Sequence, residues 1–521
     1  MYRTLSGFIA AIFVSALATA VRGDEESSLK EALALQATVQ HAIEQAEPSV
    51  VCVLVSRSEV YRKWFHDAPP KEEPGKLGSF DPDQAQLHVP EGDESQVKGL
   101  TKKLSPEKNA VEKLKRRFDM SAPTYVPAAF GSGVVINKNG LILTNYHVVR
   151  DATKLYVRLA DGKGSYADIH AADPRSDLAV LRVLDKGLLP LQPIKRGDGG
   201  HVRKGQFVVA VSNPFAAGFR DANPGASWGI VSNLRRRAPA RTLLNEIDRG
   251  KVTLHQYGTL IQTDARVNVG CSGGALIDLK GELVGLTTAL AALTGGDTAG
   301  SFAVPMDAGM RRIVDVLERG EEVEYGFLGI GPLPPRFGGR GDSGQVGRVV
   351  ANSPAASAGL RPGDTILAVA DMPIRNYDDL LLGLGTKLAG ADVRLKVRAP
   401  DGSIRLLTVT LVKFYQPGPF IASRKHPFVH GLRVDYTSVL SHRDLRDVID
   451  PGVYVREVRP GSRADKAKLQ EAVIIQVNGR PVNNPDEFYR GVARVDKAGD
   501  ALELTLGSRD GAGAARTVKL N

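Results

Sequence analysis

The 521-residue sequence predicts a mainly β protein, and three observations carry that prediction. From Phe130 onward, short apolar runs recur at close spacing: GSGVVI, GLILTNY, KLYVRLA, DLAVLRV, FVVAVS, TLIQTDA and ELVGLTTA. Turn pairs such as Asn139-Gly140, Asp161-Gly162 and Lys280-Gly281 separate them, the pattern of a β-sandwich or barrel. The 55 glycines and 30 prolines are about 16% of the chain against a usual ~12%, which suits a turn-rich fold. Beyond residue 320 the chain repeats itself: 353–380 matches 460–488, pairing Val369 with Val477, Pro373 with Pro481 and Leu380 with Phe488 at an offset of 108. A unit of about 90 residues is a domain rather than a solenoid repeat.

Composition narrows the class. An apolar fraction of 42% and a charged fraction of 24% suit globular domains, and at ~150 residues each the length predicts about three. Two cysteines, Cys52 and Cys271, exclude a disulfide-stapled scaffold and a four-cysteine zinc site. Export would permit a Cys52–Cys271 disulfide, but nothing in the sequence brings the two together. The ten histidines show no HExxH or clustered spacing, so no metal or other cofactor is expected.

The elements follow in order. Residues 1–23 carry a basic start (Arg3), an apolar core (Leu5 to Leu17) and an Ala18-Thr19-Ala20 cleavage pattern, with Val21-Arg22-Gly23 as a second candidate. This is the layout of a secretory signal peptide, with an uncleaved membrane anchor as the alternative. An exported protein, periplasmic or secreted, is therefore expected. After it, no apolar run of ~18 residues occurs. A helix is predicted within 24–47, where Ser28 and Glu31 form a capping box and Leu29, Ala32, Leu35, Val39, Ala42, Ile43 and Ala46 fall at helical spacing. Pro48 stops it, and 50–55 reads as a buried strand. Residues 56–126 are polar and aperiodic, a long insertion with one helix expected near 106–118. The β domain spans 48–320 and closes with a helix at about 306–319. The two repeats then occupy 321–414 and 429–521, joined by a linker at 415–428.

The chemistry concentrates in Asn268-Val269-Gly270-Cys271-Ser272-Gly273-Gly274. A serine between glycines in a tight turn exposes its hydroxyl and gathers backbone N–H groups, which an oxyanion requires. The same G-x-S-x-G also fits an α/β-hydrolase elbow, but that order needs a later histidine. Only His426, His430 and His442 follow, near or inside the second repeat. Upstream, His147 in Leu143-Thr144-Asn145-Tyr146-His147-Val148-Val149 precedes Asp177 in Ser176-Asp177-Leu178-Ala179-Val180-Leu181. An aspartate heading a buried strand needs a partner, and a serine nucleophile needs a base with an orienting carboxylate.

On these motifs the chain resembles the high-temperature-requirement serine protease family, exported trypsin-like proteases with C-terminal PDZ domains. The resemblance covers about 48–56 and 126–521 and rests on GSGVVI, TNYHVV, SDLAVL, SNPF, QTDARVNVGCSGGALID and SFAVP in order, then the two repeats. It implies a trypsin-like double β-barrel followed by two PDZ-like α+β domains. It implies His147 as general base, Asp177 as its orienter, Ser272 as nucleophile, and the Gly270 and Ser272 N–H groups as oxyanion hole with Cys271 as an additional donor. It places a regulatory loop at the 56–126 insertion, and trimers as the assembly. Departures are Cys271 where the family has Asn, Ser212 where it has Gly, and about 20 extra residues between Asn213 and Thr259. Arg266, six residues before Ser272, falls where trypsin-like folds build the base of the S1 pocket, whereas the family implies small aliphatic P1 residues.

In the first repeat, Phe327, Leu328, Gly329 and Ile330 resemble the PDZ loop that holds a peptide C-terminus. The second repeat has His430-Gly431-Leu432-Arg433-Val434 there and has lost the Gly363-Asp364 turn, so folding is expected of it but not necessarily peptide binding. The leading reading is an ATP-independent endopeptidase for unfolded or damaged proteins. The alternative is a non-proteolytic chaperone or scaffold, and a polyanion-binding protein would rest on charge alone. The formal charge of +10 is concentrated: 98–117 carries a net +6, and Arg235, Arg236, Arg237 and Arg241 add +4. That concentration in two insertions argues for loop regulation or anchoring, and nucleic acid is not an expected partner.

Overall fold

The computed structural model describes residues 28–58, 119–122, 125–214, 223–237, 253–288, 300–332, 344–416, 420–444, 446–507 and 515–520. The expected leader, the helix near 106–118 and Arg241 lie outside them.

A helix, α1, runs over 28–46 and ends in a 3-10 turn at Glu47–Ser49 around Pro48. It leads into β1 (Val50–Ser56), whose seven residues are all buried. The reason is that both faces are covered. Val51, Val53 and Val55 point into a barrel with Val135, Ile142, Val157 and Leu181. The alternate residues Cys52 and Leu54 lie under Met120 and Tyr156. Burial pushes the Cys52 thiol up to about 12. Both cysteines are free, so the disulfide that export would permit does not form here.

The first barrel continues through β2 (Ala129–Asn137), β3 (Leu141–Asn145), β4 (Lys154–Arg158), β5 (Gly164–Asp173) and β6 (Leu178–Val183). The spatial order β5-β4-β1-β2-β3-β6 closes into a ring through β5–β6, with β4 covering only the first part of β5. After β7 (Lys195–Arg196), the second barrel uses β8 (Phe207–Ser212), β9 (Gly225–Arg236), β10 (Leu260–Thr263), β11 (Ala275–Ile277), β12 (Glu282–Thr288) and β13 (Ser301–Pro305). Its order β11-β8-β9-β10-β13-β12 closes through β11–β12, with β7 added parallel to β12. Val208, Ala210, Ile261, Leu276 and Val284 fill it. Between Asn213 and Thr259, where about 20 extra residues are expected, lie the 12-residue β9 and a 3-10 turn at Leu254–Tyr257.

Helix α2 (Tyr146–Val149) follows β3, and α3 (Ala308–Glu318) closes the β domain. Asp307 caps α3 by accepting from the Gly309 and Met310 N–H groups at 2.8 and 2.9 Å. Ala42 and Ala46 of α1, and Met310, Ile313 and Leu317 of α3, share one core with residues of both barrels.

The repeats fold on separate cores. The first contains β14 (Gly326–Phe327), β15 (Ile330–Pro332), β16 (Val346–Val349), α4 (Pro354–Ser357), β17 (Thr365–Val369), β18 (Met372–Pro373), α5 (Tyr377–Gly385), β19 (Asp392–Arg398), β20 (Ile404–Thr410) and β21 (Val412–Lys413). In the second, β25 (Val473–Val477), β26 (Arg480–Pro481) and α8 (Pro485–Ala498) begin 108 residues after β17, β18 and α5. There β23 (Leu432–Tyr436), α6 (Ser438–Arg443), β24 (Val453–Val458) and α7 (Arg463–Lys466) come first, with β27 (Leu502–Gly507) and β28 (Arg516–Leu520) last.

The 415–428 stretch is more than a linker. Its β22 (Ile421–Ala422) adds a strand to β5, opposite Ala172 and Ala171. Ser423 then donates twice to His170: its Oγ–H to Nδ1 at 2.7 Å, since Nε2 faces the Glu318 carbonyl at 3.1 Å, and its N–H to the His170 carbonyl at 2.8 Å. Two of the basic residues flagged on charge also serve internal docking: Arg235 pairs with Asp379 and Arg237 with Asp378, both on α5.

Candidate active site

The register of β3 against β6 sets Asn145 opposite Leu178, which brings Asp177, one residue before Leu178, beside His147, two residues after Asn145. The His147 ring donates from Nδ1 to Asp177 Oδ2 at 2.7 Å, and the His147 backbone N–H donates to Asp177 Oδ1 at 2.9 Å. Both carboxylate oxygens are thus used by one residue. The Asp177 carbonyl accepts from the Tyr146 N–H at 2.9 Å and Asn145 Nδ2 at 3.1 Å. Asp177 has a left-handed φ of 54°. Such a conformation is costly outside glycine and persists where surrounding bonds over-determine it. With Nδ1 donating, His147 Nε2 keeps its lone pair, the form a general base requires.

Ser272 lies in the turn before β11, on the second barrel. Its carbonyl accepts from the Ser132 N–H of β2 at 2.8 Å, tying the turn to the first barrel. Gly131 stands between the two halves of the site: a Cβ there would come within 2.6 Å of the Val148 side chain and 3.1 Å of the Ser272 carbonyl. The serine turn and the residue after His147 therefore meet across a position with no room for a side chain.

Two left-handed glycines shape the turn. Gly270 has φ 85°, and Gly273 has φ 87° with Ser132 O only 2.1 Å from where a Cβ would sit. The peptide between Gly270 and Cys271 is held at both ends. Ser132 Oγ donates to the Gly270 carbonyl at 2.9 Å, and the Cys271 N–H donates to the Asn268 carbonyl at 3.1 Å. The latter bond corrects one expectation: the Cys271 N–H is committed within the turn and leaves the donor set of the oxyanion hole. The Cys271 carbonyl accepts from Thr287 Oγ1 at 2.6 Å, so Cys271 acts as a buried small residue of the turn. Arg266 is exposed, and its backbone N–H donates to Ser227 Oγ at 2.9 Å.

The sequence reading passes over three residues. Ser132 lies inside GSGVVI, and Asn145 lies two residues before His147. His255 sits in the extra segment, fully buried, with bonds from both ring nitrogens. The only signal for the first two was their place in a motif; His255 had none.

In the first repeat, the Leu328 carbonyl accepts from the Ala355 N–H at 2.9 Å and the Gly329 carbonyl from the Val350 N–H at 2.8 Å. A trans peptide points its N–H opposite its carbonyl, so this loop aims N–H groups away from the domain. Gly329 (φ 86°) is closed off by Ser353, whose Oγ lies 2.4 Å from where a Cβ would sit; Gly431 (φ 88°) stands in the same relation to Ser462 at 2.2 Å. Phe327 pairs with Val412, and Ile330 begins β15 opposite Val349.

Residues 131–286 match the trypsin-like peptidase domain and 345–399 the PDZ domain. A probable periplasmic serine endoprotease DegP-like from Marinomonas sp. (strain MWYL1) is 31% identical over 370 residues, 70% of this chain and 74% of the relative. Its counterpart from Pseudomonas fulva (strain 12-X) is 36% identical over 372 residues, 69% of this chain and 73% of that one. Periplasmic serine endoprotease DegP from Salmonella typhimurium is 31% identical over 375 residues, covering 70% and 71%. Among solved structures, the HtrA-type protease AlgW with tripeptide covers 73% of this chain and 98% of its own at 24% identity, with a TM-score of 0.45.

Proposed function

Since the chain belongs to the DegP-like family of serine endoproteases, we propose that it is an exported, ATP-independent endopeptidase acting on unfolded or damaged proteins, with His147, Asp177 and Ser272 as its catalytic residues. The observation that carries the residue assignment is the 2.7 Å bond from His147 Nδ1 to Asp177 Oδ2. It fixes the tautomer in which Nε2 can accept the Ser272 proton.

In this mechanism Ser272 Oγ attacks the substrate carbonyl carbon while His147 Nε2 takes its proton. The carbonyl oxygen becomes an oxyanion held by the Gly270 and Ser272 N–H groups. His147 then gives the proton to the leaving amine, and Asp177 stabilises the imidazolium throughout. Water repeats the sequence on the acyl-enzyme and frees Ser272. Ser272→Ala abolishes casein cleavage and fluorophosphonate labelling on this reading; retained cleavage by pure mutant protein would refute it.

The loop Phe327, Leu328, Gly329 and Ile330 is proposed to hold the carboxylate of a peptide C-terminus, with the peptide adding as a strand beside β15. The second repeat is proposed as a further PDZ-like domain, on its matching order of elements and the shared Gly–Ser closure. A homo-oligomer, built on trimers, is proposed from Leu29 and Leu33, exposed one turn apart on α1. Residues 1–23 are proposed as a cleaved leader to the periplasm. Among the described residues no helix is long and apolar enough to cross a membrane.

A further inference from the structure

His255 is fully buried in the 3-10 turn Leu254–Tyr257, in the segment that departs most from the resemblance. Its Nε2 lies 2.8 Å from the Ser176 carbonyl and its Nδ1 2.7 Å from Thr259 Oγ1. A carbonyl only accepts, so Nε2 carries the proton and Nδ1 accepts from the Thr259 hydroxyl. Burial disfavours the charged ring, consistent with this neutral form. The turn is anchored to the same loop one residue earlier, where the Leu254 N–H donates to the Arg175 carbonyl at 2.8 Å.

The position of the accepted bond matters. The Ser176 carbonyl and the Asp177 N–H belong to one peptide plane, and rotating that plane changes the Asp177 φ. That φ is left-handed, at 54°. The following peptide is already held through the Asp177 carbonyl by Tyr146 and Asn145. His255 supplies the matching restraint on the preceding side. Asp177 is then fixed at both flanking peptides and can direct its two oxygens only at His147.

We infer that His255 is a positioning residue for catalysis, holding the Ser176–Asp177 peptide so that Asp177 orients His147. The inference rests on the proposed triad. Thr259 belongs to the same device, because its hydroxyl fixes which nitrogen of His255 donates.

The test is steady-state cleavage of a fluorogenic peptide by the full-length chain, with the rate of fluorophosphonate labelling in parallel. His255→Phe fills the space without a donor and is expected to lower kcat and the labelling rate by up to about 100-fold with KM unchanged, the scale of a small misplacement of catalytic groups. His255→Gln places an amide donor near Nε2 and recovers most of the rate. In an Asp177→Asn background, His255→Phe adds no further loss, since it acts only through Asp177. A wild-type kcat in folded His255→Phe, or the same loss repeated in the Asp177→Asn background, overturns the inference. Should His255→Phe not fold, Thr259→Val serves: a several-fold fall in kcat supports the inference and an unchanged kcat overturns it. Asp177→Asn alone separates the two readings. If it leaves kcat intact, the triad fails and the inference with it; if it lowers kcat while His255→Phe does not, only the inference fails.

Discussion

Tyr325 donates its hydroxyl proton to Asp173 Oδ2 at 2.5 Å, joining the first repeat to the loop that presents Asp177. The same oxygen accepts from the Ser176 N–H at 2.9 Å and Ser176 Oγ at 2.5 Å. Burial and the Asp173 charge push the Tyr325 phenol well above its ordinary range, so it stays a donor. Arg175 lies over the Tyr325 ring at 4.5 Å and the Phe414 ring at 4.7 Å, filling the space between the β domain and the repeat. Tyr325→Phe keeps the ring and loses the bond. A hydrogen bond to a charged group contributes about 1.5–3 kcal/mol, and thermal denaturation should show a loss of that order. No change in stability would mean that the interface rests on packing alone.

Gly273 admits no side chain. Alanine there would adopt a left-handed φ at a cost of about 1–2 kcal/mol and drive its Cβ into the Ser132 carbonyl, a backbone atom fixed in β2. The turn must then move away from the first barrel, carrying Ser272 with it. Gly273→Ala should fold, by circular dichroism, yet label with fluorophosphonate at least ~100-fold more slowly. Labelling at the wild-type rate would contradict this account of the turn.

Ser132 is a milder case. Its hydroxyl donates to the Gly270 carbonyl and accepts from the Asn213 N–H, both at 2.9 Å. Ser132→Ala leaves the fold and frees the peptide beside the proposed oxyanion hole. Since the hole is used chiefly in the transition state, kcat should fall about 10-fold or more with little change in KM. A rise in KM alone would place Ser132 in substrate binding instead.

Acid should destabilise the fold through two histidines. Burial holds His255 below its ordinary 6.5, and burial together with the Arg182 guanidinium, 3.1 Å from Nε2, does the same for His170. Both rings stay neutral when folded and bind protons more readily when unfolded. Unfolding therefore takes up protons as pH falls through 6.5, and stability falls with it down to the folded-state values. The melting temperature measured from pH 7.5 to 5 should drop. His170→Gln should flatten that drop; an unchanged slope would remove His170 as a contributor.

The sequence carries much of this architecture because its signals are local. The short β runs, the Asn-Gly and Asp-Gly turns and the repeat at 108 residues each reflect a neighbourhood of the chain, and each appears as expected. His147, Asp177 and Ser272 stand out because rare residues sit in distinctive local settings. The supporting bonds are different in kind. His255 meets Ser176 across 79 residues, and Tyr325 meets Asp173 across 152. Nothing in the residues around either partner marks the pairing, since it is created by the packing of one barrel on the other and of the first repeat on the β domain. The linker misled for a related reason: Pro and Gly near 415–419 signal a break, while the two residues that pair with β5 are too few for a periodicity.

Lys413 shows how far the packing of the second repeat depends on a single cation. It is buried at the end of β21, with Nζ 2.8 Å from Glu322, 2.9 Å from Glu324 and 2.9 Å from Asp435. Arg456 of β24 reaches Glu322 at 2.8 Å and Asp435 at 3.1 Å, and its guanidinium stacks 4.0 Å from the Phe420 ring. Three carboxylates and two cations, Glu322, Glu324 and Lys413 from the first repeat and Asp435 and Arg456 from the second, thus share one site. Burial raises Glu324, opposed by Lys413, while the three carboxylates outweigh burial and hold Lys413 above its ordinary range. Lys413→Met preserves length and volume but leaves three carboxylates facing one guanidinium. Removing one partner of a buried pair costs about 3–5 kcal/mol. The cost need not unfold either repeat, because each has its own apolar core. Release of the second repeat from the first relieves it at least expense, by returning Asp435 and Arg456 to water. Limited proteolysis should then cut Lys413→Met within 415–428 faster than the parent, while the two repeats melt as separate transitions. Equal cleavage rates and a single unchanged transition would show that the charges contribute nothing to docking.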